Sequence, residues 1–261
     1  MRIGLTQMDI AWEDKEKNCE ICLELFKQAK KLQVDFLVFP EMTLTGFSMN
    51  AELISQGEPE FTKGFFKKAT VEFDMAAAFG YAVKEDGKFY NKLAIMDRGR
   101  ELSDYAKIHP FSYGDEGKYY TGGDKLAVAK LTVGKDETWH IGSAICYDLR
   151  FPELFQAMSD EAELIIVPAN WPEKRRVHWD TLLRARAIEN QCFICGVNRL
   201  GEDDGASYEY SSALFDPWGN EFATALDDIL VADIHPEAVK NARESFAMKK
   251  DRKKDLYKTW Y

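Results

Sequence analysis

The chain has 261 residues and a formal net charge of −10. That acidity argues against a nucleic-acid role, which calls for a positive footprint, and the lack of any apolar run of about 18 residues argues against a membrane span. A chain of this size buries roughly 70–75% of its unfolded surface, so it needs neither disulfides nor a structural metal to stand.

In chain order, residues 2–8 predict a strand and 15–32 a helix, with Cys19, Cys22, Leu23, Phe26, Ala29 and Leu32 at helical spacing. Residues 34–39 form a short apolar run stopped by Pro40, the pattern of a buried strand. A helix over 60–73 follows, then strands over 76–84, 92–97 and 100–106, with a turn at Glu85-Asp86-Gly87. A strand over 138–145 ends at Cys146, and a short helix over 152–159 leads to a strand over 164–167 stopped by Pro168. A helix over 178–191 precedes strands over 192–198, 211–215 and 230–233. No stretch has the composition of a linker, so residues 1–261 read as a single domain with a basic, mostly helical tail over 236–261. The N-terminus has no apolar segment of the secretory kind, which makes the cytoplasm the expected compartment.

Alternating strands and helices predict an α/β fold of helix-covered sheets. The segments Leu37-Val38-Phe39-Pro40-Glu41 and Ile165-Ile166-Val167-Pro168-Ala169-Asn170 echo each other, which suggests two similar αβ halves facing one another. Ligands of such folds bind beyond the carboxyl ends of strands. Glu41, Cys146 and Asn170 all sit at ends of that kind.

Five cysteines, an odd number, do not suit a secreted disulfide framework. The spacings Cys19-x-x-Cys22 and Cys192-x-x-Cys195 have the outline of a four-thiolate zinc site, but all four positions read better as core, where a free cysteine is a small hydrophobe. No phosphate-binding glycine loop and no metal-spaced His/Asp/Glu cluster is found, so no metal and no cofactor are expected.

Cys146 stands where a strand gives way to a helical segment. Helix-start N–H groups there favour a thiolate, and the Tyr147 N–H can meet an oxyanion forming beside the sulfur. A buried structural cysteine is the competing reading, weakened by Asp148, Arg150 and Glu153 alongside. Lys107 closes the 100–106 strand. It is either solvated or an electrostatic partner that lowers the thiol pKa and holds an oxyanion. Glu41, among Phe39, Met42 and Phe47, is either a capping or solvated glutamate or a desolvated general acid/base. A Cys–His pairing with His109 or His178 lacks a local signature, and His109 fits a supporting hydrogen-bonding role better.

Taken together and in order, Phe39-Pro40-Glu41, Lys107-Ile108-His109, Cys146-Tyr147-Asp148-Leu149-Arg150-Phe151-Pro152-Glu153, Pro168-Ala169-Asn170-Trp171-Pro172, the run over 185–191 and Gly196-Val197-Asn198-Arg199 resemble the nitrilase superfamily of carbon–nitrogen hydrolases. The resemblance covers almost the whole chain. It implies a four-layer αββα sandwich, a Glu41–Lys107–Cys146 triad and a homodimer formed through a helical face. It also implies a second glutamate shortly after the lysine, for which Glu116 is the candidate and Asp115 the competitor. Phe47, Arg176, Trp179 and the segment around Asn170 and Trp171 resemble the bacterial omega-amidase branch most. That likeness implies hydrolysis of the terminal carboxamide of a small amide such as 2-oxoglutaramate or succinamate, with ammonia released through a cysteine thioester. Another amidase of the superfamily, a true nitrilase, or a non-catalytic scaffold with the same fold are the alternatives. The far carboxylate of such a substrate needs a cation. Arg175 and Arg176 are the candidates, with Arg150 as an alternative that could instead pair with Glu153. Tyr147, Trp171 and Phe47 are the candidate pocket walls. A small-molecule amide is the expected partner. The basic run over 249–254 reads as a solvated face, and the resemblance offers packing across a dimer instead.

Overall fold

Strands that are apolar on both faces need cover on both sides. The computed structural model, which describes residues 1–203 and 205–260, provides it with two stacked mixed sheets flanked by helices. Asp204 and Tyr261, the last residue of the expected tail, lie outside the described residues. One sheet runs, in spatial order, Thr224–Leu226, Ile229–Asp233, Arg2–Thr6, Phe36–Val38, Ala76–Glu85, Lys88–Asp97 and Arg100–Ala106. The other runs Ala213–Phe215, Phe193–Asn198, Leu164–Ala169, Glu137–Ser143 and Val128–Val133. Each is built on three successive parallel strands, with antiparallel neighbours outside them.

The alternation of side chains sorts the core into layers. Phe36 and Val38 point between the sheets, where they meet the cluster that holds Leu164, Ile166, Phe193 and Trp139. Leu37 and Phe39 point outward onto Leu25, Phe26 and Phe66 of the helices Lys15–Lys31 and Glu60–Glu72. On the far side, Ile165, Val167 and Ile194 pack under Phe155, Trp179 and Leu183 of Pro152–Met158 and Arg176–Asn190. The result is the αββα sandwich. The four paired-spacing cysteines spread over three of these layers: Cys19 and Cys22 on the first outer side, Cys192 on the second, and Cys195 between the sheets. No helix among the described residues is long and apolar enough to cross a membrane.

Several elements depart from the sequence reading. The strand over 164–167 continues through Pro168 to Ala169. Its neighbour Glu137–Ser143 pairs only as far as Ile166, so the missing proline N–H costs no ladder bond on that side. Val128–Val133 and Thr224–Leu226 are additional strands, and Gly201–Asp203 pairs with Ala206–Tyr208 as a separate hairpin. The basic tail is solvated only in part: Lys250, Lys253 and Lys254 are exposed, whereas Arg243, Lys249 and Arg252 are half-buried. Arg243, Lys249 and Arg252 donate to main-chain carbonyls at Ser159, Ala162, Glu189 and Gln191, around the ends of the helices Pro152–Met158 and Arg176–Asn190. Cations suit those positions because the last carbonyls of a helix lack intrahelical donors and carry its negative pole.

Candidate active site

Glu41 lies two residues beyond Phe39, on a turn laid flat against the strand Ala76–Glu85. Gly80 makes this approach possible: a Cβ there would fall 2.4 Å from the Met42 nitrogen and 3.0 Å from the Glu41 Cα. Thr43 fastens the turn, its N–H donating to the Gly80 carbonyl at 3.0 Å and its hydroxyl accepting from the Gly80 N–H at 3.0 Å. The Glu41 side chain is fully buried. Its Oε1 accepts from Asn91 Nδ2 at 2.8 Å and Lys107 Nζ at 2.9 Å, and its Oε2 accepts from the Asn170 N–H at 2.9 Å. The Asn170 side chain also donates to the Glu41 carbonyl at 2.7 Å, so the ends of the two echoing strands clasp each other across the sandwich.

Lys107 is shared between two buried carboxylates. Its Nζ donates to Glu41 and to both oxygens of Glu116, at 3.0 and 2.8 Å. Asn91 bridges the same two carboxylates, donating to Glu116 Oε1 at 3.0 Å. The structure separates the two acids that spacing left level. Glu116 is buried beside the lysine and also accepts from the Phe111 N–H, whereas Asp115 is exposed and pairs with Lys118. Burial works against the Lys107 ammonium, but Glu116 first and Glu41 second outweigh it and raise its pKa above the usual value. The lysine therefore stays charged.

Cys146 occupies a left-handed backbone conformation, φ +45°, which costs a side-chain-bearing residue about 1–3 kcal/mol. It opens a single 3₁₀ turn, Cys146–Arg150, which leads into the helix Pro152–Met158 expected soon after it. Within the turn the Asp148 N–H donates to the Ile145 carbonyl, and the Tyr147 N–H has no acceptor among the described residues. Asp148 holds the strained turn in place. Its buried carboxylate accepts from the Ile145 N–H at 2.9 Å, the Tyr105 hydroxyl at 2.8 Å and the His109 N–H at 3.0 Å, and contacts His109 Nδ1 at 2.8 Å. His109 stacks on Phe151 at 3.7 Å. One carboxylate thus ties the turn bearing Cys146 to the strand end bearing Lys107, which gives His109 the supporting place read for it.

Burial foremost, and then the charge of Glu41, push the Cys146 thiol well above its ordinary pKa, and the opposing pull of Lys107 is the weaker. This reverses the expectation of a lowered thiol pKa. Lys107 is already matched by two carboxylates, and a turn this short has no helix dipole to add. The resting thiol is therefore neutral and needs a base to be activated. Since its pKa is raised, the ultraviolet thiolate absorbance lost in Cys146→Ala is expected to emerge only beyond the usual thiol range of about 8.5. A thiolate already present at neutral pH would contradict this reading.

A cavity of about 570 Å³ opens above Cys146 and Asn170. Phe47, Tyr147, Trp171 and Arg175 line it as expected from the sequence. The Phe47 ring lies 5.3 Å from Lys107 Nζ. Arg176 is placed elsewhere: its guanidinium pairs with Asp180 and Glu209 and donates to the Tyr210 carbonyl, and it is not among the lining residues. Arg150 does line the cavity, between the rings of Trp171 at 4.7 Å and Tyr147 at 5.8 Å, with both terminal nitrogens 3.2 Å from His178 Nδ1. It does not pair with Glu153. Neither Arg150 nor Arg175 has a carboxylate partner among the described residues, and burial, reinforced by Arg175, lowers the pKa of Arg150. No group of three or more His, Cys, Asp or Glu able to hold a metal ion is found among the described residues. Asn91, Asp148 and Gly80 are the residues of this site that the sequence reading left without a role.

Residues 2–244 match the family model described as carbon–nitrogen hydrolase. The chain is 31% identical to the 2-oxoglutaramate amidase of Bacillus subtilis (strain 168), over 98% of both chains. It is 30% identical to the omega-amidase YafV of Escherichia coli (strain K12), over 100% of this chain and 99% of that one. Among solved structures, a CN-hydrolase superfamily protein from Xanthomonas campestris superposes with a TM-score of 0.87 at 29% identity, over 97% of each chain. That structure carries an arsenic adduct in its active site.

Proposed function

The chain belongs to the carbon–nitrogen hydrolase family and is an amidase of the nitrilase superfamily, and we propose that it hydrolyses the terminal carboxamide of a small ω-amide such as succinamate or 2-oxoglutaramate. Cys146 is the nucleophile of this reading. Glu41 accepts the thiol proton as the sulfur attacks the amide carbon, while Lys107 and the Tyr147 N–H hold the oxyanion. The C–N bond breaks as Glu41 delivers the proton to the departing ammonia. Water, deprotonated by Glu41, then replaces the sulfur, and the proton returns to the thiol. Glu116 orients Lys107 throughout. The raised thiol pKa supports a base-assisted attack rather than a standing thiolate.

The observation that carries the choice of substrate is the pair Arg150 and Arg175, two guanidiniums that line the cavity and have no carboxylate partner among the described residues. A substrate carboxylate would supply one, and guanidinium–carboxylate pairing is bidentate and directional. Arg150, wedged between Tyr147 and Trp171, is the better held of the two.

Losing a charge-assisted hydrogen bond of about 1.5–3 kcal/mol is roughly a 10–100-fold change in affinity. Arg150→Met should therefore reduce the preference for succinamate over butyramide by that factor, read as the ratio of their KM values. An unchanged ratio would remove Arg150 from the role. Ammonia release measured beside a simple nitrile separates the other readings: preference for the nitrile makes the protein a nitrilase, and release from neither makes it a scaffold. The reading treats residues 1–261 as one hydrolase domain and the protein as a cytoplasmic homodimer. Five unpaired cysteines support a reducing compartment, and exposed Val177 and Ile188 on the Arg176–Asn190 helix support a contact face.

A further inference from the structure

Of the residues gathered at the reaction centre, Cys146, Tyr147 and Asn170 line the cavity, while Glu41, Lys107 and Glu116 are not among its described lining residues and have side chains 0–1% exposed. Asn91, Lys107 and Asn170 close the Glu41 carboxylate in. A leaving nitrogen that takes its proton there has room for hydrogens and little else. The open volume therefore serves the acyl part of the substrate.

That volume exceeds what a four- or five-carbon amide fills. A cavity within ~300–1,000 Å³ takes a drug-sized ligand. Succinamate or 2-oxoglutaramate has about ten non-hydrogen atoms at most, or roughly 300 Å³ at the share of liquid volume a water occupies. Against about 570 Å³, close to half remains. The lining that the amide and the arginine pair leave unused includes the charged Asp115, Lys174 and Asp203 and, as its apolar and aromatic wall, Trp12, Met49, Ala206 and Tyr208.

The wall is braced rather than loose. The Tyr208 hydroxyl donates to Asp203 at 3.2 Å, and the buried Arg199 guanidinium lies 4.7 Å over the Tyr208 ring while donating to Asp203 and to the Ile10 carbonyl. Ser207 donates to Glu173, two residues before Arg175, at 3.1 Å. Trp12 packs on Gly46, where a Cβ would come within 3.2 Å of the indole.

Building on the ω-amide reading above, we infer that the preferred substrates are primary ω-amides whose carboxylate-bearing carbon also carries a substituent that ends in an apolar or aromatic group, seated against Trp12, Met49 and Tyr208. The chemistry is unchanged: the C–N bond gives way to S–C and then to O–C, with ammonia and a carboxylate as products. The test compares kcat/KM of the full chain for N-phenylacetylglutamine and N-acetylglutamine, with succinamate alongside. Burying the phenyl ring is expected to favour the first by roughly tenfold or more, and the ratio is expected to fall toward one in Trp12→Ala and in Met49→Ala. Each variant carries its own control in the N-acetyl substrate. A ratio of one or less in the parent protein, or a ratio untouched by both substitutions, overturns the inference. If succinamate is still turned over in that case, the ω-amide reading survives it. If no ω-amide releases ammonia, both fall.

Discussion

Replacing Cys146 with alanine is expected to reduce ammonia release from succinamate by on the order of 10⁶-fold, the scale reached when a covalent nucleophile is removed. The loss should be almost free of a folding effect. The left-handed backbone at this position is no worse for alanine than for cysteine, and the turn is held by Asp148, which remains. Thermal stability close to the parent's, combined with lost turnover, is the expected pair of results. Intact-mass measurement gives the positive counterpart. In Glu41→Gln the thiol and the water that resolves the thioester both lose their base, so the acyl adduct should form slowly and, once formed, persist through a long incubation. The same adduct must be missing from the protein that also carries Cys146→Ala. The other thiols are poor rivals: burial pushes Cys192 up to about 12, and Cys195 lies fully buried between the sheets. An adduct that survives the loss of Cys146, or that maps to Cys192 or Cys195, overturns the mechanism.

How far the site could be read from the sequence depended on whether a residue's work is local. Glu41, Lys107, Cys146 and Asn170 each stand just beyond the carboxyl end of a strand, and the carboxyl ends of strands in such folds are where ligands bind. Asn91 has no such marker. It lies in the middle of a strand, and its value comes from the two carboxylates it bridges, fifty and twenty-five residues away. Gly80 was unreadable for the same reason, because the Met42 nitrogen that needs its space belongs to another segment. Arg176 could have been set aside, since Asp180 one helical turn on is a ready partner. The strand Thr224–Leu226 was missed because all three of its residues are exposed at a sheet edge, which leaves no apolar pattern to detect.

Lys107→Met is the substitution expected to harm both stability and rate, and the two losses can be pulled apart. Lys107 is buried with two carboxylates against it, so its removal leaves charges without a partner in a place water does not reach. Breaking a buried pair in this way costs about 3–5 kcal/mol, which a shift in denaturation midpoint would report. Activity should fall by ~10²–10³ for the lost oxyanion partner alone. The double variant Lys107→Met with Glu116→Gln removes one of the stranded charges while keeping a side chain of the same shape. Much of the lost stability should then return, because Asn91 and Asn170 still satisfy Glu41. The rate should not recover, because no cation remains to meet the oxyanion. If the second substitution restored turnover together with stability, Lys107 would be a structural counter-ion only, and the oxyanion would have to be held by the main chain of the Cys146 turn.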